Sequence, residues 1–179
     1  MKVIIVYALL FAGILPGAET FTLKSPKLGG QATKELVSNS YGCDGLNLSP
    51  PLYWENAPAE TKSFAVTVFD ESAPGGSGWW HWIMFNIPDS VARLEEGAGS
   101  LNLNLAPAGS VQSTTVLQKQ GYGGPCPPVG GGFHKYVVTV YALKIVDLNL
   151  PATAAPATVA YLIEQNVIEK SSLIFYYKR

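Results

Sequence analysis

The sequence is poor in the side chains on which most protein chemistry depends. It has two histidines and two cysteines, and 14% of its residues are charged. The formal net charge is -1 and no run of like charges occurs, which excludes the extended basic surface of a nucleic-acid-binding protein. No fixed-period repeat or low-complexity tract is present, and a hydrophobic content of 47% excludes a disordered chain. We therefore expect a globular domain of ordinary size.

Motifs of common hydrolases and metal sites are also missing. The sequence contains no G-x-S-x-G, H-E-x-x-H, H-x-H or C-x-x-C. Asp70, His81 and His134 could offer two imidazoles and one carboxylate to a metal ion, but their spacing matches none of these ligand motifs. We accordingly predict neither a metal site nor a cofactor.

The first 18 residues differ in composition from the rest. Lys2 is their only charge, the run from Val3 to Leu15 is apolar, and small residues follow up to Ala18. This arrangement is typical of a secretory signal peptide, and the apolar run is too short for a stable membrane anchor. We predict a signal peptide at 1–18, a single domain at 19–179, and a secreted or periplasmic location.

Cys43 and Cys126 are the only cysteines, so only one intramolecular pairing is possible. In an oxidising compartment, two such cysteines favour a disulfide. Two buried, unpaired thiols are the alternative.

The spacing of apolar residues indicates a mostly β chain with a late helix. Runs rich in Val, Ile, Thr and aromatic residues are typical of strands, and apolar residues at intervals of three and four after Pro156 indicate a helix up to Val167. The segment 89–120 is expected to be a long surface connection with short strands, and a candidate partner surface. The predicted strands are Phe21–Leu23, Leu52–Trp54, Ser63–Asp70, Trp80–Ile87, His134–Leu143 and Ser171–Tyr177.

Strand periodicity assigns the histidines to faces of the sheet. A period of two places His134 and Tyr136 on the same face of their strand. The same rule places His81 with Ile83 and Phe85, opposite the tryptophans on either side of it.

Both histidines lie where a loop rich in glycine and proline meets an apolar run. His81 belongs to the stretch Asp70–Trp82, and His134 belongs to the stretch Gly121–Tyr136. Imidazole titrates near neutral pH, and glycines let backbone N–H groups approach an anion. Two histidines in such loops predict a small polar pocket with aromatic and proline walls. The alternative is that each histidine merely packs at a strand end.

The chain resembles the phosphatidylethanolamine-binding protein family, which includes the Raf kinase inhibitor protein, and in particular its bacterial branch. The resemblance extends from about residue 20 to the C-terminus. It implies an antiparallel β-sandwich of that family's type, with a C-terminal helix and a small anion pocket at one end. The stretches that carry it are Leu48–Leu52, Ala57–Pro58, Thr61–Phe64, Gly76–Trp82, Asn86–Pro88 and Gly121–Pro125.

The family's ligand-binding motifs match this sequence with two departures. The family's D-P-D-x-P element corresponds to Asp70–Pro74, and its G-x-H-R element corresponds to Gly132–Lys135. Ser72 replaces the second aspartate, which should relax selectivity for an amine head group. Lys135 replaces arginine, which should weaken bidentate pairing. The implied ligand-binding residues are Asp70, Pro74, His81, Gly124, Pro125, His134 and Tyr136.

These residues predict an exported, non-enzymatic protein that binds a small phosphorylated or carboxylated ligand. A role as inhibitor or modulator of an exported or foreign protein is left open. The alternative is a hydrolase that uses Asp70 and a histidine as an acid–base pair. We also expect the nearby carboxylate to outweigh burial and to keep the histidine pKa values from falling.

Overall fold

A computed structural model describes residues 19–179; the signal peptide predicted at 1–18 lies outside the described residues. The described chain forms short and long strands and one α-helix. No helix within this part of the chain is long and apolar enough to cross a bilayer. The elements are β1 (Thr22–Lys24), β2 (Leu52–Glu55), β3 (Ser63–Asp70), β4 (Trp79–Pro88), β5 (Arg93–Leu94), β6 (Val111–Gln112), β7 (His134–Leu143), α1 (Pro156–Asn166) and β8 (Val167–Tyr177).

The strands form two antiparallel sheets, which confirms the predicted class. A small sheet has the order β1-β2-β5, and a larger sheet has the order β6-β4-β3-β7-β8. The almost wholly apolar β3 is central, as its composition predicts, because both of its edges are paired and both of its faces are covered. The long strand β7 pairs with β3 along the whole length of β3.

Each face of the larger sheet is covered by a different layer. Val66 and Val138 on one face pack with Trp54 of the small sheet. On the other face, Phe85 packs with Ile163 of α1. The burial of each such side chain stabilises the fold by roughly 1.5–3 kcal/mol.

Helix α1 begins at Pro156, where the missing N–H is tolerated, and buries Val159 and Ile163 at a spacing of four. It ends at Asn166, and Val167, expected in the helix, is extended and starts β8. The edge strand β8 therefore follows α1 directly, without a loop between them.

The pairing of β3 with β4 contains an irregularity at His81. Val68 lies opposite Trp82, and Phe69 lies opposite Trp80, so that His81 has no residue directly across from it. This is a β-bulge, which inserts one residue and breaks the period of two.

The bulge overturns the predicted face of His81. His81 lies against Tyr136 on the side of the small sheet, with ring centroids 5.2 Å apart. Ile83 and Phe85 pack on the helix side instead. The prediction that His81 shares their face is wrong, because it assumed a regular pleat through the whole of β4.

Candidate ligand-binding site

A cavity of about 390 Å³ opens where β3 ends, β4 begins and β7 begins. It contains all but one of the ligand-binding residues predicted from the sequence. Pro125 does not line it; this proline is buried, and its carbonyl accepts a hydrogen bond from the Ser38 amide at 3.1 Å. The predicted residues on the cavity wall are Asp70, Pro74, His81, Gly124, His134 and Tyr136.

Strand register explains how these side chains meet. Asp70 is the last residue of β3, and it lies opposite Trp79 on β4 and Tyr136 on β7. His134 starts β7 two residues before Tyr136, and therefore points to the same side. Three neighbouring strand ends thus contribute to one wall.

Asp70 and His134 form a buried pair at the base of the cavity. The Nδ1 atom of His134 lies 2.7 Å from Oδ2 of Asp70, and the two residues are 5% and 3% exposed. The other Asp70 oxygen accepts a hydrogen bond from the amide of Ser72 at 2.9 Å. Because the carboxylate accepts the proton on Nδ1, Nε2 of a neutral His134 carries a lone pair.

His81 is held through its backbone-facing nitrogen. Its Nδ1–H donates to the carbonyl oxygen of Gly123 at 2.7 Å. Its Nε2 lies 4.0 Å from Oδ2 of Asp70 and makes no hydrogen bond to any described residue. A buried polar atom without a partner is rare in native proteins and requires an explanation.

Burial lowers the pKa of His81, although the Gly123 carbonyl and the Asp70 carboxylate act in the opposite direction. The expectation that charge outweighs burial is therefore wrong for this histidine. His81 is 6% exposed, so the cavity mouth does not solvate it enough to offset the desolvation of its charged form.

Tyr136 supplies a protonated hydroxyl beside the pair. Its ring stacks on Phe175 with centroids 5.0 Å apart, which fixes its orientation. Burial raises its pKa, and the Asp70 carboxylate raises the pKa further. The phenol therefore remains a hydrogen-bond donor at neutral pH.

Asn47, which the sequence did not single out, holds the loop that carries Gly124. Its Oδ1 accepts from the Gly124 amide at 2.7 Å, and its Nδ2 donates to the Tyr122 carbonyl at 3.2 Å. Between them, the Gly123 amide donates to the carbonyl of His81 at 2.8 Å. Asn47 is therefore a positioning residue, and no signal links it to a loop 77 residues further along the chain.

Sequence reasoning also missed part of the cavity wall. Cys126 lies on it and is joined to Cys43, which confirms the predicted disulfide. The Arg179 guanidinium donates from Nη1 to the Tyr41 carbonyl at 3.2 Å, beside both sulfurs. The additional lining residues are Tyr41, Ala73, Trp79, Leu117, Cys126, Pro127, Pro128 and Arg179.

The two departures from the family's motifs lie outside the cavity lining. The Ser72 hydroxyl accepts from the amide of Lys135 at 3.1 Å. The Lys135 ammonium pairs with Glu71 at 2.7 Å, and both side chains are partly solvated. These residues therefore join the loop after β3 to the start of β7.

An antiparallel sandwich with a buried carboxylate and two histidines at its strand ends defines a small ligand-binding domain. Residues 27–178 match the family described as "Phosphatidylethanolamine-binding protein". The chain belongs to the phosphatidylethanolamine-binding protein family.

Three relatives place the chain within this family. It is 39% identical to the UPF0098 protein YbcL of Escherichia coli over 99% of both chains. It is 42% identical to YbhB of the same organism over 81% of this chain and 90% of YbhB. It is 35% identical to the "Putative lipoprotein LppC" of Mycobacterium tuberculosis over 89% of this chain and 73% of LppC. The crystal structure of E. coli YbcL superposes with a TM-score of 0.86, covering 89% of this chain and 98% of the YbcL chain.

The family description is that of a binding protein, and the fold is that of a ligand-binding domain. Within residues 19–179, no group of three or more His, Cys, Asp and Glu side chains is placed to hold a metal ion.

Proposed function

We propose that this protein is exported and holds the phosphate or carboxylate group of a small ligand between His81 and His134. The observation that carries the proposal is Nε2 of His81, which is buried and unpaired at the wall of the cavity. A ligand oxygen beside this atom would supply the hydrogen bond that no residue of the folded chain makes to it.

The protons carried by the two imidazoles determine which ligands can bind. In their neutral forms, His81 donates its one N–H to the Gly123 carbonyl and His134 donates its one N–H to Asp70. Both Nε2 atoms are therefore acceptors. An anion needs donors at those positions. Binding is therefore coupled to proton uptake by the imidazoles, or it selects a ligand that carries its own proton. The hydroxyl of Tyr136 stays protonated in either case, but it is directed at the Asp70 carboxylate, which raises its pKa.

The size and lining of the cavity favour an organic anion over a bare ion. Its volume of about 390 Å³ is many times the ~30 Å³ that one water molecule occupies. Trp79, Leu117 and Pro128 offer apolar surface around the polar base. This combination is typical of pockets that fix one polar group and desolvate the rest of the ligand.

Export is supported by three features of different kinds. The cysteines are paired in a disulfide, which persists in oxidising compartments. A relative is described as a lipoprotein. The first 18 residues have the composition of a secretory signal peptide. Cell fractionation followed by intact mass should find a chain that starts at residue 19 outside the cytoplasm; a cytoplasmic chain that retains residues 1–18 would contradict export.

The anion site is tested by NMR of the two imidazoles during titration with phosphate, acetate and phosphoethanolamine. We expect both ring signals to shift at millimolar ligand, and His81→Gln to weaken binding. Lys135→Gln is the matched control, because this residue lies nearby but does not line the cavity. Ring signals that stay unchanged with every ligand would remove the proposal.

A second role, as modulator of an exported or foreign protein, is favoured by one surface feature. Leu101, Leu103 and Leu105 are 54%, 48% and 46% exposed in the segment 89–120. Exposed leucines at such density are typical of interaction surfaces. A purified candidate partner should bind the wild type and should lose affinity for Leu103→Ser, with Val146→Ser as the control on an exposed apolar residue outside this segment.

A further inference from the structure

A second cleft, of about 220 Å³, opens beside the histidine cavity. Tyr41 and Leu117 contribute to the walls of both. Tyr41 is 58% exposed, so a solvent-facing aromatic ring belongs to the lining of both clefts. The two clefts are therefore adjacent.

The second cleft differs from the first in chemistry. Its side chains are mainly amides and hydroxyls, with Lys119 as the single charged residue among the described residues that line it. The Lys119 ammonium lies 5.5 Å from the centroid of the Tyr41 ring. A cleft without a carboxylate has no preference for a cation, and the ammonium favours a ligand that carries negative charge.

Several of these side chains are available for binding. Ser100, Asn102, Lys119 and Gln120 make no side-chain hydrogen bond or ion pair within the described chain. Amides and hydroxyls both donate and accept hydrogen bonds. This is the complement of an alcohol, which also does both.

The backbone behind these groups is closely packed. A Cβ atom on Gly121, whose φ is +84°, would lie 2.5 Å from the carbonyl oxygen of Gly99. The amide of Tyr122 donates to the same oxygen at 2.8 Å. The backbone at Gly99, Gly121 and Tyr122 therefore has little room to move, so this wall of the cleft is formed before a ligand binds.

We infer that the ligand is a phosphorylated polyol, with its phosphate in the histidine cavity and its hydroxyl-bearing part in this second cleft. The inference rests on the proposed anion site and names its ligand class. The C–H surface of the polyol would pack on Tyr41 and Leu117, while its hydroxyls would bind Asn102 and Gln120.

The test compares methyl phosphate with myo-inositol 1-phosphate by calorimetry and by NMR of the side-chain amides. We expect the inositol phosphate to bind about tenfold more tightly, the effect of one or two net hydrogen bonds. Only the inositol phosphate should shift the amide signals of Asn102 and Gln120, whereas both ligands should shift the histidine signals.

The double variant Asn102→Ala and Gln120→Ala changes exposed residues only. It should remove the tenfold advantage and leave the affinity for methyl phosphate unchanged. Equal affinity of the wild type for the two ligands, or an advantage that survives in the double variant, overturns the inference alone. Methyl phosphate that leaves both histidines unchanged overturns the anion site as well.

Vesicle binding tests whether the phosphorylated polyol is a lipid headgroup or a soluble molecule. Binding to phosphatidylcholine vesicles that contain phosphatidylinositol, but not to phosphatidylcholine alone, assigns the polyol phosphate to a lipid headgroup. Binding of the free inositol phosphate without vesicle binding assigns it to a soluble ligand.

Discussion

His134 donates from Nδ1 to Oδ2 of Asp70 across 2.7 Å, although the two residues are 64 positions apart. The same oxygen lies 4.0 Å from Nε2 of His81. One buried carboxylate therefore faces two imidazoles. When both imidazoles are protonated, the three side chains carry a net charge of +1, which a bound monoanion would neutralise.

The affinity for an anion should depend on pH through His81. Burial lowers its pKa in the free protein below the ordinary value of 6.5, and a bound anion would raise it. Affinity should be highest below the free-protein pKa, should fall about tenfold per pH unit as pH rises towards the bound-state pKa, and should level off above it.

Calorimetry with dimethyl phosphate between pH 4.5 and 8 measures this dependence, because the charge of this diester is constant over that range. The heat in two buffers of different ionisation enthalpy gives the number of protons taken up. His81→Gln should flatten the profile, whereas Lys135→Gln should leave it intact. An affinity that is flat from pH 5 to 8 in the wild type would show that neutral donors alone hold the anion.

Asn47→Asp should loosen the loop beside His81. The new carboxylate can still accept from the Gly124 amide, but it can no longer donate to the Tyr122 carbonyl. We expect a loss of about 1–3 kcal/mol in the free energy of unfolding and a shift of the His81 ring signals.

Asn104→Asp is the matched control. Asn104 has a φ of +51°, close to the +54° of Asn47, but it is exposed. Its substitution should change stability by less than about 0.5 kcal/mol. Equal effects of the two substitutions on unfolding would contradict a positioning role for Asn47.

Adjacent glycines of the same loop should respond differently to alanine. A Cβ atom on Gly124 would lie 2.2 Å from the carbonyl oxygen of Leu36, whereas one on Gly123 would meet nothing closer than 3.6 Å. Gly124→Ala should destabilise the fold by about 1–3 kcal/mol, because backbone must move. Gly123→Ala should be neutral, or more stable by up to about 1 kcal/mol. Denaturant unfolding measures both, and a tolerated Gly124→Ala would show that the loop is looser than its packing indicates.

Reduction of the disulfide should destabilise the protein without unfolding the sandwich. Cys43 and Cys126 are 83 positions apart, and closing a loop of that length contributes at most about 4.5 kcal/mol in the chain-entropy treatment. Urea unfolding with and without reductant measures the loss, and Cys43→Ser with Cys126→Ser should reproduce it. Intact mass should rise by two hydrogens on reduction. Two free thiols in protein isolated from an oxidising compartment would contradict the pairing.

Local pattern was sufficient for most of the architecture. The apolar composition of β3 predicts a central strand because such a run is stable only when both faces are covered. Pro156 followed by Val159 and Ile163 predicts α1 because their spacing places both on one face. The motifs around Asp70, His81 and His134 also led to the cavity, since each of these three residues lies at or near the end of a strand.

The errors lie where a residue's environment depends on distant chain. The face of His81 depends on a bulge in the pairing with β3, and a period of two cannot reveal an inserted residue. Burial of His81 by the surrounding walls, rather than the charge of Asp70, decides the direction of its pKa shift.

The sequence by itself determined the strands, the helix and the residues at the base of the site, because each depends on local composition. It also determined the disulfide partners, because two cysteines allow only one pairing. The tertiary structure alone decided that Asn47 holds the cavity loop, that Pro125 does not line the cavity, and that Tyr41 lines two clefts. These placements arise from contacts between segments far apart in the chain. Such contacts follow from how the sheets and loops pack, and the sequence next to each residue does not reveal them.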